Sequence, residues 1–133
     1  MDFFSPGSVW PARALMVLRI VAALIFLEHG TQKLLGFPAF PSGNGPAAMS
    51  LPWFAGIIEL VGGLLLLVGV AVRPAAFVMS GTMAVAYWWA HAPRSFFPVN
   101  NGGDAAILYC FLFLYFVVAG GGSWNGSKDV SKP

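Results

Sequence analysis

Charged side chains are scarce in this sequence. Of 133 residues, seven are Lys or Arg and five are Asp or Glu, so 9% are charged and 58% are hydrophobic. A soluble domain carries about 25% charged residues, and the mean hydropathy here is +0.76. The basic residues form no run or stripe, which excludes a nucleic-acid-binding surface. The composition predicts an integral membrane protein.

Cysteine and histidine are also rare. Cys110 is the single cysteine, so the chain forms no internal disulfide and cannot cycle a dithiol. The two histidines, His29 and His91, fall in different apolar segments with no helical pair between them. The sequence has no motif for haem, flavin or metal, and the cofactor is left unknown. Residues 1–10 have no Lys or Arg and no cleavage site follows, so the first apolar segment is predicted to remain in the mature protein.

Four apolar stretches account for most of the chain. A spanning helix needs about 20 mainly apolar residues, and the stretches run over residues 11–35, 53–72, 74–91 and 104–119. Residues 1–133 are therefore predicted to form a single all-α domain, a membrane four-helix bundle with up-and-down topology. Such a bundle has both termini on one side. Basic residues are divided four to two, which places the termini in the cytoplasm: Arg13, Arg73, Lys128 and Lys132 against Lys33 and Arg94.

Ionisable residues gather at the outer end of this predicted bundle. Glu28 and Glu59 both lie roughly 9–10 Å below the outer boundary at 1.5 Å per residue, and we expect them to be neighbours. Because buried charge in a membrane is costly, such residues indicate function. Glu28, His29 and Glu59 are the predicted catalytic residues. The predicted substrate-binding residues share the same outer end: Gln32, Lys33, His91, Arg94, Asn101 and Asp104.

Three residues have a predicted structural role. Gly56 and Gly63 share a helix face with Glu59, and small residues mark close helix contacts in membranes, so Glu59 should face another helix. Arg19 lies about two and a half turns deeper than Glu28 on the opposite face. It either extends to the inner interface or bonds backbone carbonyls. Two alternatives stay open: Glu28 pairs with Lys33 or Arg94, and Glu59 is a neutral carboxyl bonded between helices.

Four segments resemble the DoxX family. They are LRI at 18–20, HGTQKL at 29–34, ELVGGLLLLVG at 59–69 and FPVNNGGD at 97–104, and the resemblance covers nearly the whole chain in the right order. It departs at Asp104, where Glu is more usual. The resemblance implies a small, multi-pass, four-helix protein of the bacterial inner membrane. Members are often labelled oxidoreductases, one branch is associated with thiosulfate:quinone oxidoreduction, and others with membrane-bound redox assemblies.

The residues and the resemblance together lead to three functional hypotheses. The first is a subunit of a redox or respiratory assembly that meets quinol or a small substrate at the outer polar cluster, with its own enzymatic status left open. The second is a non-catalytic subunit that docks a larger electron-transfer complex. The third is transport of a small molecule or lipid. The expected partners are the lipid bilayer and other membrane or redox subunits, with no nucleic acid.

Overall fold

The computed structural model describes residue 3 and residues 5–124, and this part of the chain is helical with no strand. The predicted all-α class is confirmed. The helices are α1 Trp10–Leu35, α2 Leu51–Val68, α3 Val72–Ala86, a π-helical turn Tyr87–His91, a 3-10 turn Ala92–Arg94, α4 Pro98–Asn101 and α5 Asp104–Ala119. Within the described residues, α1 and α2 are long and apolar enough to cross a membrane, and α5 is apolar but shorter.

Helices α1 and α5 coincide, to within one residue, with the predicted apolar segments 11–35 and 104–119. Proline in the first turn suits the start of α1, since its missing N–H would have no helical partner there. Gly36 ends α1 in the left-handed conformation, with φ 68°, and its N–H donates to the Gln32 carbonyl. Local signals therefore decide both ends of α1.

Helix α2 differs from its predicted limits of 53–72. It begins at Leu51, where the hydroxyl of Ser50 accepts the Trp53 N–H, and it ends at Val68. Gly69 at φ 73° closes it, and Ala71 at φ 49° turns the chain into α3. The predicted end was wrong by four residues because hydrophobicity continues unbroken through this corner and conceals the left-handed turn.

The third apolar segment, predicted over 74–91, forms one continuous helical path in which three types of helix follow one another. Helix α3 passes into the π-helical turn Tyr87–His91 and then the 3-10 turn Ala92–Arg94. A π-turn places an extra residue in the helix and rotates the side chains that follow it. This irregular stretch sets the position of His91.

Helices α1 and α2 pack antiparallel at backbone distance. A Cβ atom at Gly30 would lie 2.7 Å from the Leu60 nitrogen, and one at Gly63 would lie 3.0 Å from the Leu27 side chain. Later residues of α1 thus meet earlier residues of α2, so the two helices run antiparallel. Glycine permits this approach because it has no side chain to separate the helices.

Helices α3 and α5 form a second antiparallel pair. The hydroxyl of Ser80 donates to the Cys110 carbonyl at 2.8 Å, and Arg73 Nη1 donates to the carbonyls of Val117 and Val118 at the end of α5. The two helix pairs meet in a shared apolar core, in which Phe26 of α1 packs edge-on against Phe113 of α5 with ring centroids 4.7 Å apart. The core therefore draws on α1, α2, α3 and α5.

Arg19 fastens α1 to the segment that follows α5. Its side chain is fully buried, Nη1 donates to the Gly121 carbonyl at 2.7 Å, and Nη2 donates to the Trp124 carbonyl at 2.6 Å. Of the two interpretations left open by the sequence, the structure has Arg19 bonded to backbone carbonyls. The guanidinium is suited to this because it presents several donors in a rigid plane.

We expect Arg19→Met to destabilise the protein by roughly 3–6 kcal/mol, since it removes two hydrogen bonds to a charged group, each worth about 1.5–3 kcal/mol. Chemical denaturation in detergent measures the change. The matched control is Arg13→Met on the exposed face of the same helix, which loses only a cation–π contact with Trp10. That contact is worth about 1 kcal/mol or less. Equal losses in the two variants would contradict the anchoring role of Arg19.

Candidate functional site

One ion pair forms among the described residues, and it joins α1 to α2. Lys33 Nζ lies 2.7 Å from Glu59 Oε1. The Glu59 side chain is only 3% exposed and that of Lys33 is 22% exposed. The second carboxylate oxygen of Glu59 is buried and has no hydrogen-bond partner in the described part of the chain. One carboxylate oxygen of Glu59 is thus paired with Lys33, and the other has no partner among the described residues.

The close approach of α1 and α2 produces this pair. Glu59 lies three residues after Gly56, on the same face of α2. A Cβ atom at position 56 would lie 2.9 Å from the Cβ of Lys33, so a side chain there would displace Lys33 from Glu59. The spacing of small residues in the sequence predicted that this face of α2 contacts another helix. Gly56 is the small residue that contributes most to the site, because it leaves room for Lys33.

A cavity of about 520 Å³ opens between α2 and α3 beside the ion pair; we call it the α2–α3 cavity. Its walls are mostly apolar, and four of its side chains carry a polar atom: Lys33, Thr82, Trp89 and His91. Thr82 donates its hydroxyl to the Val78 carbonyl within α3. Lys33 and His91 are therefore the two titratable groups that border the cavity.

His91 is held in one orientation by the loop that follows it. Its Nδ1 lies 3.1 Å from the Asn101 carbonyl. A carbonyl oxygen only accepts, so Nδ1 carries the proton, and in the neutral ring Nε2 is then an acceptor. The His91 ring also stacks on Tyr87 with centroids 6.5 Å apart. His91 thus lines the cavity as a ring of fixed tautomer.

Asn101, predicted to bind substrate, is buried inside the loop instead. Its amide nitrogen donates to the Ser95 carbonyl at 3.0 Å and to the Tyr87 hydroxyl at 3.3 Å. Its amide oxygen accepts the Gly103 N–H at 2.7 Å. With donors and acceptor engaged, the side chain organises the loop whose carbonyl orients His91.

Glu28 and His29 do not join this site. Both are exposed. Glu28 is two residues from Gly30, which is about 200° around the helix, and Gly30 faces α2. The expected proximity of Glu28 and Glu59 is therefore not found, because equal depth does not imply equal helical phase. Lys33, an alternative partner for Glu28, pairs with Glu59.

The remaining predicted residues lie on other surfaces. Gln32 is half-buried on the Glu28 side of α1, and Arg94 and Asp104 are exposed at the loop end. Neither Arg94 nor Asp104 lines the cavity or forms an ion pair within the described residues. Asp104 lies in the first turn of α5, where an acid interacts favourably with the helix dipole. The predicted single outer cluster is thus divided among three places.

No three His, Cys, Asp or Glu side chains of the described residues converge as a metal site. The cavity wall itself was missed from the sequence. Gly81 is its clearest sign, since a Cβ atom at that position would meet nothing within 4 Å. A helical glycine that neither a turn nor close packing requires indicates open space beside the helix. The sequence alone does not distinguish such a glycine from one that close packing requires.

Comparison with known proteins identifies relatives. A family model described as DoxX matches residues 14–92. An uncharacterized protein of Haemophilus influenzae is 47% identical over 113 residues, which cover 82% of this chain and 84% of that protein. No solved structure matches the chain.

We expect Lys33→Met to cost about 3 kcal/mol of stability, because removing one partner of a buried ion pair leaves an uncompensated charge. The double variant Lys33→Met/Glu59→Met should recover most of that loss, since it removes both charges. A denaturation double-mutant cycle in detergent measures the coupling. Arg94→Met, at an exposed site, is the control and should stay within about 0.5 kcal/mol of the parent. Additive effects in the cycle would show that the two side chains do not interact.

Proposed function

The chain belongs to the DoxX family, and from this premise we propose that it is a membrane subunit of a redox assembly that binds quinone or quinol in the α2–α3 cavity. The observation that carries the proposal is the cavity's composition. Its apolar walls end at Lys33 and His91, two groups that can hydrogen-bond the oxygens of a quinone ring. Ligand sites commonly combine a mostly apolar wall with a few convergent polar groups.

We place this subunit in the bacterial inner membrane as an up-and-down four-helix bundle with both termini in the cytoplasm. The antiparallel contacts of α1 with α2 and of α3 with α5 support this arrangement. They bring Lys33 and His91 to the same end, where both border one cavity. In this orientation the quinone-binding end lies in the outer half of the membrane.

The proposed roles of the site residues follow from their donors and acceptors. Lys33 has three N–H groups and uses one for Glu59, so another can donate to a quinone oxygen. His91 Nε2 can accept one quinol hydroxyl proton. Glu59 does not line the cavity, so a second proton can reach its carboxylate only through Lys33, which is hydrogen-bonded to it. Oxidation of quinol to quinone releases two protons and two electrons. The electrons would pass to a redox centre of a partner subunit, which this proposal requires.

The docking function is a second candidate, favoured by the exposed face of α1. Glu28 and His29 are exposed near the end of this apolar helix, and Gln32 lies on the Glu28 side. Polar groups facing lipid are costly, so contact with a partner membrane subunit would satisfy them. The two functions are compatible, because the cavity and this face use different residues.

A side chain can be introduced into the cavity at position 81, where a Cβ atom would meet nothing within 4 Å. In Gly81→Leu the new side chain enters open space, so we expect binding of decylubiquinone, followed by tryptophan fluorescence quenching in detergent, to weaken at least about tenfold, equivalent to about 1.4 kcal/mol. The control is Ala14→Leu, an exposed position of α1 away from the cavity. Unchanged affinity in Gly81→Leu would overturn the cavity as the quinone site.

The two histidines separate the two candidate functions. His91→Gln should weaken quinone binding about tenfold, because it removes the oriented ring from the cavity, whereas His29→Gln should leave binding unchanged and reduce co-purification of partner subunits from membranes. The reverse result, with His29 controlling quinone affinity, would exclude the α2–α3 cavity in favour of the exposed α1 face.

A further inference from the structure

The α2–α3 cavity is continued by a second one on the same side of the protein. This second cavity has a volume of about 430 Å³, and no charged or hydrogen-bonding side chain lines it. Ile58 belongs to the walls of both. The two cavities therefore adjoin at Ile58, and we call the pair of them, which lies between α2 and α3, the α2–α3 groove.

The groove is long and has a different chemistry at each end. Its α2 wall runs from Leu51 to Leu65, which is about 21 Å at 1.5 Å per residue. Lys33 and His91 border one end, and the other reaches the turn at Ala71, where only apolar groups are present. The polarity thus falls from one end to the other.

The floor of the groove is the contact between α2 and α3. A Cβ atom at Gly62 would lie 2.5 Å from the Met79 sulfur, so the two helices touch closely at this point. On the rim, Val61 and Val78 are 52% and 51% exposed. The second cavity is thus closed behind by packing and open in front at this rim.

We propose that the α2–α3 groove holds the hydrocarbon tail of a membrane amphiphile whose polar head lies at Lys33 and His91. The inference rests on the proposed function and specifies its substrate class as long-tailed quinones. A head-and-tail molecule matches the polarity of the groove, with one hydrogen-bonding end and one apolar end.

The expected energetics follow from the bilayer. Lipid hydrocarbon is as apolar as the groove, so the tail gains dispersion contacts with the walls and little hydrophobic transfer energy. Affinities must therefore be expressed per mole fraction of ligand in the membrane or micelle. On that scale tail preference reports contact with the groove and is independent of partitioning.

The test compares two quinones with the same head, decylubiquinone and its tail-less parent. In the wild type we expect the decyl form to bind at least about fivefold more tightly, or about 1 kcal/mol. Val78→Trp, which obstructs the apolar end, should abolish that preference and leave tail-less binding intact. Val17→Trp on α1 is a matched control, since Val17 is 54% exposed and lines neither cavity. An equal preference for the decyl form in the wild type, Val78→Trp and Val17→Trp would overturn the proposal that the tail lies in the groove.

A head-independent probe separates this inference from the proposed function. Decanol with a diazirine at its tail end should label residues of the apolar end in the wild type and in Val17→Trp, and not in Val78→Trp. Labelling without any quinone binding would overturn the proposed function and support the groove. Quinone binding with no tail preference and no labelling would overturn the groove alone. A change of oligomeric state in Val78→Trp with tail preference retained would identify a protein interface and overturn the proposal.

Discussion

The approach of α1 and α2 to backbone distance is the constraint on which the rest of the site depends. Gly30 and Gly63 let the two backbones meet, and Gly56 admits the side chain of Lys33 between them. Only at that distance can Lys33 reach Glu59, which is otherwise a buried carboxylate in an apolar surrounding. Breaking a buried pair costs far more than an exposed one, so helix packing and ion pairing stabilise each other.

The cavity is a consequence of the same packing. Helix α1 holds α2 closely, and α3 is bonded to α5 through Ser80 and Arg73. Between the two pairs, α2 and α3 touch closely at Gly62 and Met79 and leave space on either side of Ile58. The cavity therefore exists because two tight helix pairs, α1 with α2 and α3 with α5, meet along a looser boundary.

The two ends of the molecule are secured by different chemistry. At the end away from the site, Arg19 uses its guanidinium to bind two carbonyls beyond α5. At the site end, Asn101 uses its amide to organise a loop, and its carbonyl orients His91. Both arrangements satisfy polar backbone groups where no secondary structure does so, which is required of any buried segment. The second arrangement also serves the site.

The sequence alone was enough for the all-helical class, the limits of α1 and α5, and the face of α2 that carries Glu59. These depend on hydrophobicity, on Pro and Gly signals and on helical period, which are all local. Tertiary structure decided which polar residues meet. The sequence predicts similar depths for Glu28 and Glu59, but Glu28 lies on the exposed side of α1, and Lys33 takes the place expected of Glu28. The α2–α3 cavity could not be predicted, because an unfilled space depends on the distance between helices distant in sequence, and hydrophobicity does not encode that distance.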